Sequence, residues 1–223
     1  MLNRLVIALT PLLLLALSAA SEESPAASWS PGSSETGEGF AYQIYSRESQ
    51  GEAYLLYQVR GSINASPDTL RRSVRTIASD PERAPEGHTR RLLSADDDVF
   101  VVYTLIDLPL IADRDIITRG VASVDPTTGT ERIDWQAIDD HRAPPGEDAV
   151  RIRSSGGFWE FVPAANGTTR VTYETFIDLG GSLPGWLINP LMARTVSANF
   201  ENLAREAVSR TAPPVAASPP PSG

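Results

Sequence analysis

The chain has 223 residues, of which 41% are hydrophobic and 21% are charged, the balance of an ordinary globular protein. Acidic residues outnumber basic ones by 28 to 19, which argues against a nucleic-acid partner, because binding to phosphates needs clustered cations. Cysteine is absent, which excludes disulfides, thiol nucleophiles and zinc-thiolate sites. With only His88 and His141 present, we expect no metal site.

Residues 1–20 have the pattern of a secretory signal peptide. Arg4 supplies the positive charge, residues 5–17 are mainly apolar, and small residues lead to a predicted cleavage site after Ala20. The apolar run is shorter than the ~20 residues that span a bilayer, although an uncleaved anchor is the alternative interpretation. All basic residues are arginine, which we interpret as bacterial coding bias. We therefore expect an exported bacterial protein, either periplasmic or secreted.

Two segments lack the apolar content of a folded element. Residues 21–39 are rich in Ser, Glu, Gly and Pro, and residues 211–223 are rich in proline. Both are predicted to be disordered, because neither buries enough apolar surface to offset the entropy of ordering. One domain is therefore expected over residues 40–210.

In chain order, the domain begins with two predicted strands, at residues 40–45 and 54–59, joined by a polar turn. A helix follows, with Ser66 as its N-cap, Pro67 at its first position and Asp80 at its end. Further extended runs alternate with Pro, Gly and Asp turns, which predicts an antiparallel sheet. These runs are residues 99–108, 113–124, 132–138, 150–153 with 156–163, and 168–179.

The last predicted element is a long helix over residues 184–210. One of its faces is apolar, with residues at helical spacing: Ile188, Met192, Val196, Phe200, Leu203 and Ala207. A twisted sheet can curl around a helix laid along its concave face, and space left between two apolar surfaces can hold a small molecule. The predicted fold is therefore α+β, with a curved antiparallel sheet wrapped around the C-terminal helix and an internal hydrophobic cavity.

Three motifs in order resemble the START lipid-transfer family, whose fold is the helix grip. The first runs from VVYT through LP to ADRDIITR, over residues 101–119. The second combines GFWEFVP with GTTRVTY, over residues 157–173, and the third is DLGGSLPGWLIN, over residues 178–189. The resemblance covers about residues 39–210, and the shared order and spacing of the motifs make it specific.

The resemblance implies a non-enzymatic protein whose cavity holds a sterol, phospholipid, carotenoid or similar lipid beneath the C-terminal helix. We expect a monomer with no cofactor and no nucleic-acid partner that contacts membranes transiently. The wider superfamily also contains polyketide cyclases, so an enzyme of that type is one alternative. An interaction module with a filled core and a Pro-rich tether is another.

Ligand-binding residues are predicted on several elements. Arg119 shares a strand face with Ile117, and if that face is concave its guanidinium meets the polar end of the ligand; an ion pair within the sheet is the alternative. Tyr103 on the adjacent strand can turn its hydroxyl toward Arg119 or the ligand, or toward a backbone partner. Further wall candidates, for which the alternative is core packing, are Trp159, Met192 and Phe200, and Tyr173 completes the set.

Arg114 and Asp115 form the motif pair at a strand start, and we interpret them as structural residues that pin the backbone. No spacing suggests a nucleophile with its base, so no catalytic residue is predicted. An enzyme of this fold would have to use Asp107, Asp115 or Glu174. The acidic run at residues 96–98 is predicted to be a solvated turn, because it lacks the glycine and distal glutamate of a calcium loop.

Overall fold

The computed structural model describes residues 28–49, 54–108, 111–146, 148–180, 183 and 185–211. The predicted signal peptide and the tail after residue 211 lie outside these described residues. Within them, no helix combines the length and the apolar character needed to cross a membrane.

Ten strands form one sheet, and their order in the sheet differs from their order in the chain. In chain order they are β1 Ser30–Gly37, β2 Phe40–Glu48, β3 Leu55–Ile63, β4 His88–Ala95, β5 Val99–Ile106, β6 Asp113–Val124, β7 Glu131–Ala137, β8 Ala149–Arg151, β9 Ser154–Pro163 and β10 Thr169–Asp178. Across the sheet the order is β1-β2-β3-β10-β9-β7-β6-β5-β4, and these neighbours are antiparallel. The short strand β8 lies parallel to the start of β6.

Two α-helices are described, α1 Pro67–Ser79 and α2 Gly185–Thr211. The start of α1 is as predicted, since Ser66 Oγ accepts a hydrogen bond from the Thr69 N–H at 3.2 Å and Pro67 opens the helix. Asp80 ends the helix in an extended conformation. A 3₁₀ turn, Pro81–Arg83, then leads into β4.

The core lies between the concave face of the sheet and α2. One stripe of α2 is completely buried, including Val196, Phe200 and Ala207. Gly61 of β3 makes room for this helix, because a Cβ there would lie 2.8 Å from the Phe200 ring. The antiparallel sheet and the long C-terminal helix confirm the predicted helix-grip fold.

Two edge strands depart from the sequence interpretation. Residues 30–37, predicted to belong to a disordered lead-in, form β1, whose side chains are all exposed. Backbone pairing with β2 holds this strand, so its composition carries no burial signal. The second unpredicted strand, β4, forms the opposite edge, and all of its residues are exposed or only partly buried.

Candidate functional site

A cleft separates part of the concave sheet face from α2, and it consists of two adjoining chambers. The inner chamber, of about 200 Å³, lies toward α1 and the 3₁₀ turn. The outer chamber, of about 350 Å³, lies beneath the first half of α2. Volumes of this order are those of small-molecule sites.

Apolar side chains form most of the walls of both chambers. The inner chamber is lined by residues of α1, of the central strands and of α2, among them Ile77, Phe100, Val102, Ile133, Trp159 and Leu203. The outer chamber adds another set of aliphatic side chains, among them Ile106, Leu108, Ile116, Ile177, Met192 and Val196. Such walls favour an apolar occupant, because removing apolar surface from water is favourable.

The two chambers meet at a junction that combines apolar and polar side chains. Six residues line both chambers and define this junction: Pro85, Arg90, Thr104, Trp135, Tyr173 and Asn199. Sheet register explains why two of them face inward. Arg90 of β4 lies opposite Thr104 of β5, and Thr104 lies opposite Ile116 of β6, which belongs to the main core. Directly paired residues share a sheet face, so all three side chains point to the concave side.

Arg90 is a partly buried cation with few protein partners. Its Nη1 donates a hydrogen bond to the carbonyl oxygen of Ile77, in the last turn of α1, at 2.7 Å. Among the described residues it forms no ion pair with a carboxylate. Burial lowers the pKa of Arg90, partly offset by the electrostatic effect of Tyr173. The group remains charged near neutral pH, as arginine does in proteins.

Tyr173 is held rigidly beside Arg90. Its ring stacks on Trp159 with centroids 3.9 Å apart and planes 7° apart. Its hydroxyl oxygen accepts a hydrogen bond from Asn199 Nδ2 at 3.2 Å. Burial raises the pKa of Tyr173, so the phenol stays protonated and its O–H is a donor.

Tyr103 and Arg119, two predicted ligand-binding residues, lie on the outer face of the sheet. Tyr103 pairs with Ile117, and Ile117 belongs to a separate small cluster with Val101 and Ala143 on the convex side. Arg119 lies opposite Val101 and therefore shares that side. Neither residue lines a chamber. Their expected position on the concave face is wrong, because alternation shows which residues share a face but not which face is concave.

The other four predicted ligand residues lie on the concave side. Trp159 and Tyr173 line the inner chamber, and Met192 lines the outer one. Phe200 is fully buried against Trp159 and Tyr42 and lines neither chamber. For Phe200, the core-packing alternative therefore describes its position.

Arg114 and Asp115 make the contacts that a structural pair requires. Arg114 Nε donates to the carbonyl oxygen of Leu179 at 2.9 Å, which ties β6 to the end of β10. Asp115 receives two hydrogen bonds from Arg151, at 2.8 and 2.9 Å, and one from the Gly146 N–H at 3.3 Å. Burial on its own raises the pKa of Asp115, but the hydrogen bonds from Arg151 and Gly146 outweigh it and hold the pKa below its ordinary value.

Acidic side chains stay outside the walls of the cleft. Among the described residues, no Asp or Glu lines either chamber, and the enzyme candidates Asp107, Asp115 and Glu174 are likewise absent from the walls. The Asp96 carboxylate accepts hydrogen bonds from the Asp98 and Val99 N–H groups, the geometry of an ordinary turn. In the described part of the chain, no cluster of three or more acidic or histidine side chains is arranged to hold a metal ion.

Sequence reasoning missed Arg90 and Asn199, which bring a guanidinium and an amide to the junction. Arg90 was missed because β4 was not recognised as a strand. Asn199 carried a usable signal, since it interrupts the apolar stripe of α2 between Val196 and Leu203. A lone amide on an apolar helix face indicates a polar partner in the core.

The chain resembles several known proteins. It is 25% identical to the STAR-related lipid transfer protein from Xanthomonas axonopodis, with a TM-score of 0.65 over 81% of this chain and 98% of the other. Human StAR-related lipid transfer protein 5 has a TM-score of 0.62 and 19% identity, over 82% of this chain and 88% of its own. An uncharacterized protein of Pseudomonas aeruginosa is 24% identical over 148 residues, which are 66% of this chain and 72% of that protein. The sequence matches no protein-family model.

A mostly antiparallel sheet folded around a long C-terminal helix, with an apolar cleft beneath that helix, defines a helix-grip protein. Within that class, the chain is similar to START, or StAR-related lipid-transfer, domains.

Proposed function

We propose that the protein binds a lipid or another hydrophobic small molecule in the two chambers beneath α2 and carries it between membranes. The observation that carries this proposal is the pair of adjoining apolar chambers with a polar junction. Burial of ligand surface supplies most of the affinity, roughly 2.5 kcal/mol per about 100 Å² of apolar area. The polar junction orients the ligand.

The named relatives support this proposal. The Xanthomonas protein and human protein 5 are both StAR-related lipid transfer proteins by name. In the proposed role the protein acts by binding and release, without changing the ligand covalently, and it works as a monomer without a cofactor. The Thr104, Tyr173 and Asn199 side chains at the junction contribute hydrogen bonds to the ligand.

The proposal includes export to the periplasm or the medium and transient contact with membranes. Export rests on the signal-peptide pattern of residues 1–20. Membrane contact rests on the exposed Trp186, which lies in the first turn of α2, near the outer chamber. Tryptophan favours the interface between water and the bilayer.

The cavity is tested by blocking the junction with Thr104→Phe in the full chain. Thr104 lines both chambers, so a phenyl ring there occupies the space where they meet. We expect the binding of cis-parinaric acid and of its methyl ester, measured by fluorescence, to weaken at least about tenfold. Overpacking typically costs about 1–3 kcal/mol, which a folded domain tolerates.

The matched control is Thr89→Phe, since Thr89 is an exposed residue of the adjacent strand β4 that lies outside both linings. This variant should bind both probes like the natural protein. If the natural protein binds neither probe and native mass spectrometry after gentle purification detects no bound lipid, the proposed function is wrong. Equal probe binding by both Phe variants would place the ligand elsewhere.

A further inference from the structure

The junction between the chambers contains a donor group that the proposed function alone does not explain. Arg90 brings a full positive charge to a cleft whose remaining walls are mostly apolar. An unpaired charge in such surroundings is costly unless something meets it. Arg90 therefore favours ligands with a group that can meet its charge.

The donors at the junction outnumber the protein acceptors that face them. A guanidinium carries five N–H groups, and the Ile77 carbonyl accepts one of those of Arg90. The Tyr173 oxygen accepts a hydrogen bond from Asn199, and its O–H adds a further donor at the junction. Arg90 and Tyr173 line the same two chambers and interact electrostatically. Together they offer hydrogen-bond donors, one of them charged.

The charges around the cleft have the same sign as Arg90. Two further residues of the linings are arginines, Arg83 and Arg194. Arg83 is paired with Asp80 and Glu206, whereas Arg194 lies at the exposed rim of the outer chamber. The chain as a whole carries a formal charge of −9, so this lining contrasts with the rest of the protein. A cleft lined by charges of one sign attracts ligands of the opposite sign.

We propose that the ligand is an amphiphile with an anionic oxygen group, a carboxylate or a phosphate, bound by Arg90 and Tyr173 at the junction, with its apolar chain in the outer chamber. This inference rests on the proposed function, because it names the ligand class of the same site. Planar guanidinium groups match both anions, and such charge-assisted hydrogen bonds are strong. An uncharged sterol or alcohol cannot neutralise Arg90.

The decisive experiment compares ligands that differ only in the charge of the head. With the natural full chain, cis-parinaric acid should bind roughly 10- to 100-fold more tightly than its methyl ester, the range expected for hydrogen bonds to a charged group. In displacement assays, laurate or dodecyl phosphate should compete more strongly than dodecanol, which has the same alkyl chain. The better competitor of the two anions identifies the head as carboxylate or phosphate.

Arg90→Met tests the residue itself, since methionine retains an apolar stem without the charge. We expect the preference for acid over ester to disappear in this variant, while ester binding changes little. Arg90→Lys keeps the charge and should retain part of the preference. The matched control is Arg91→Met, because Arg91 is the exposed neighbour on the opposite sheet face, against the Tyr103 ring.

The outcomes distinguish a failure of the anionic ligand class from a failure of the proposed function. If the natural protein binds acid and ester equally well, the anionic ligand class is wrong although hydrophobic binding stands. If it binds neither probe, the proposed function fails first. Arg90 also ties β4 to α1 through Ile77, and a purely structural role would lower the melting temperature of Arg90→Met without altering the ratio of acid to ester affinity. The ratio of acid to ester affinity is measured on the natural protein. It therefore tests the inference even if Arg90→Met folds poorly.

Discussion

Asp115 shows how a motif residue can be essential to the fold while lying outside the ligand site. Its carboxylate and the Arg151 side chain are 0% and 5% exposed, and the pair joins β6 to β8. Arg151 also donates to the Ala143 carbonyl at 2.9 Å, and Asp115 accepts from Gly146. The pair thus fixes the loop between β7 and β8 against the outer face of the sheet. Removing one partner of a buried ion pair leaves the other charge uncompensated.

We predict that Asp115→Asn lowers the free energy of unfolding at neutral pH by about 3–5 kcal/mol. The pKa of Asp115 is lower in the folded protein, so its stabilising effect is present above the unfolded value of about 3.9. That effect is lost as the pH falls through the folded pKa. Urea unfolding at several pH values should therefore show the gap between natural and variant protein narrowing below a pH of about 3.9.

Asp97→Asn is the matched control, because Asp97 is exposed in the turn before β5. Its unfolding curve should follow that of the natural protein at every pH. A gap between Asp115→Asn and the natural protein that stays constant down to low pH would contradict the pairing of an ionised Asp115 with Arg151.

At the scale of elements, the sequence predicts well what depends on burial and local capping. The first turn of α1 follows directly from Ser66 and Pro67, and β6 has the bounds that its apolar run suggests. Edge strands are harder to predict, because β1 and β4 are held by backbone pairing on one side and bury few side chains. Missing β4 also meant missing Arg90.

The sequence also leaves undetermined which face of a strand lies on the concave side of the sheet. Alternation correctly grouped Arg119 with Ile117, but either face of β6 carries apolar residues. The convex face is apolar here because the loop after β7 packs Ala143 onto Ile117 and Val101. A loop contact between residues distant in the chain therefore decides where Arg119 points, and no local pattern reports it.

The first turn of α2 is the element that we expect to touch membranes. Trp186 is 76% exposed there, although large aromatic side chains are usually buried at least in part. We predict that Trp186→Ala weakens binding of the full chain to phosphatidylcholine vesicles at least about tenfold, since burying a large apolar side chain contributes roughly 1.5–3 kcal/mol. Co-sedimentation with vesicles measures the loss. Uncharged vesicles are the appropriate choice because the protein carries a net negative charge.

Leu92→Ala controls for the removal of any exposed apolar side chain, since Leu92 is 40% exposed on β4. It should bind vesicles like the natural protein. If Trp186→Ala also binds normally, the exposure of Trp186 has another cause and membrane contact involves a different surface.

At the scale of the whole molecule, the fold places its sheet edges, its helix and its cleft within residues 30–211. The cleavage site predicted after Ala20 precedes the first strand by several residues. A chain that begins at Ser21 therefore contains every described strand and helix.

We predict that the protein exported from a bacterial host begins at or near Ser21, because residues 5–17 form an apolar segment of signal-peptide length followed by small residues. N-terminal sequencing of the periplasmic or secreted fraction measures this directly. A chain produced from Ser21 onward should unfold at the same denaturant concentration as the exported protein and should bind cis-parinaric acid equally well. Replacing Leu13 with a charged residue should retain the protein in the cytoplasm, because the charge interrupts the apolar segment. Recovery of an intact Met1 in the membrane fraction would instead show that the segment anchors the protein, and ligand exchange would then have to occur at that membrane.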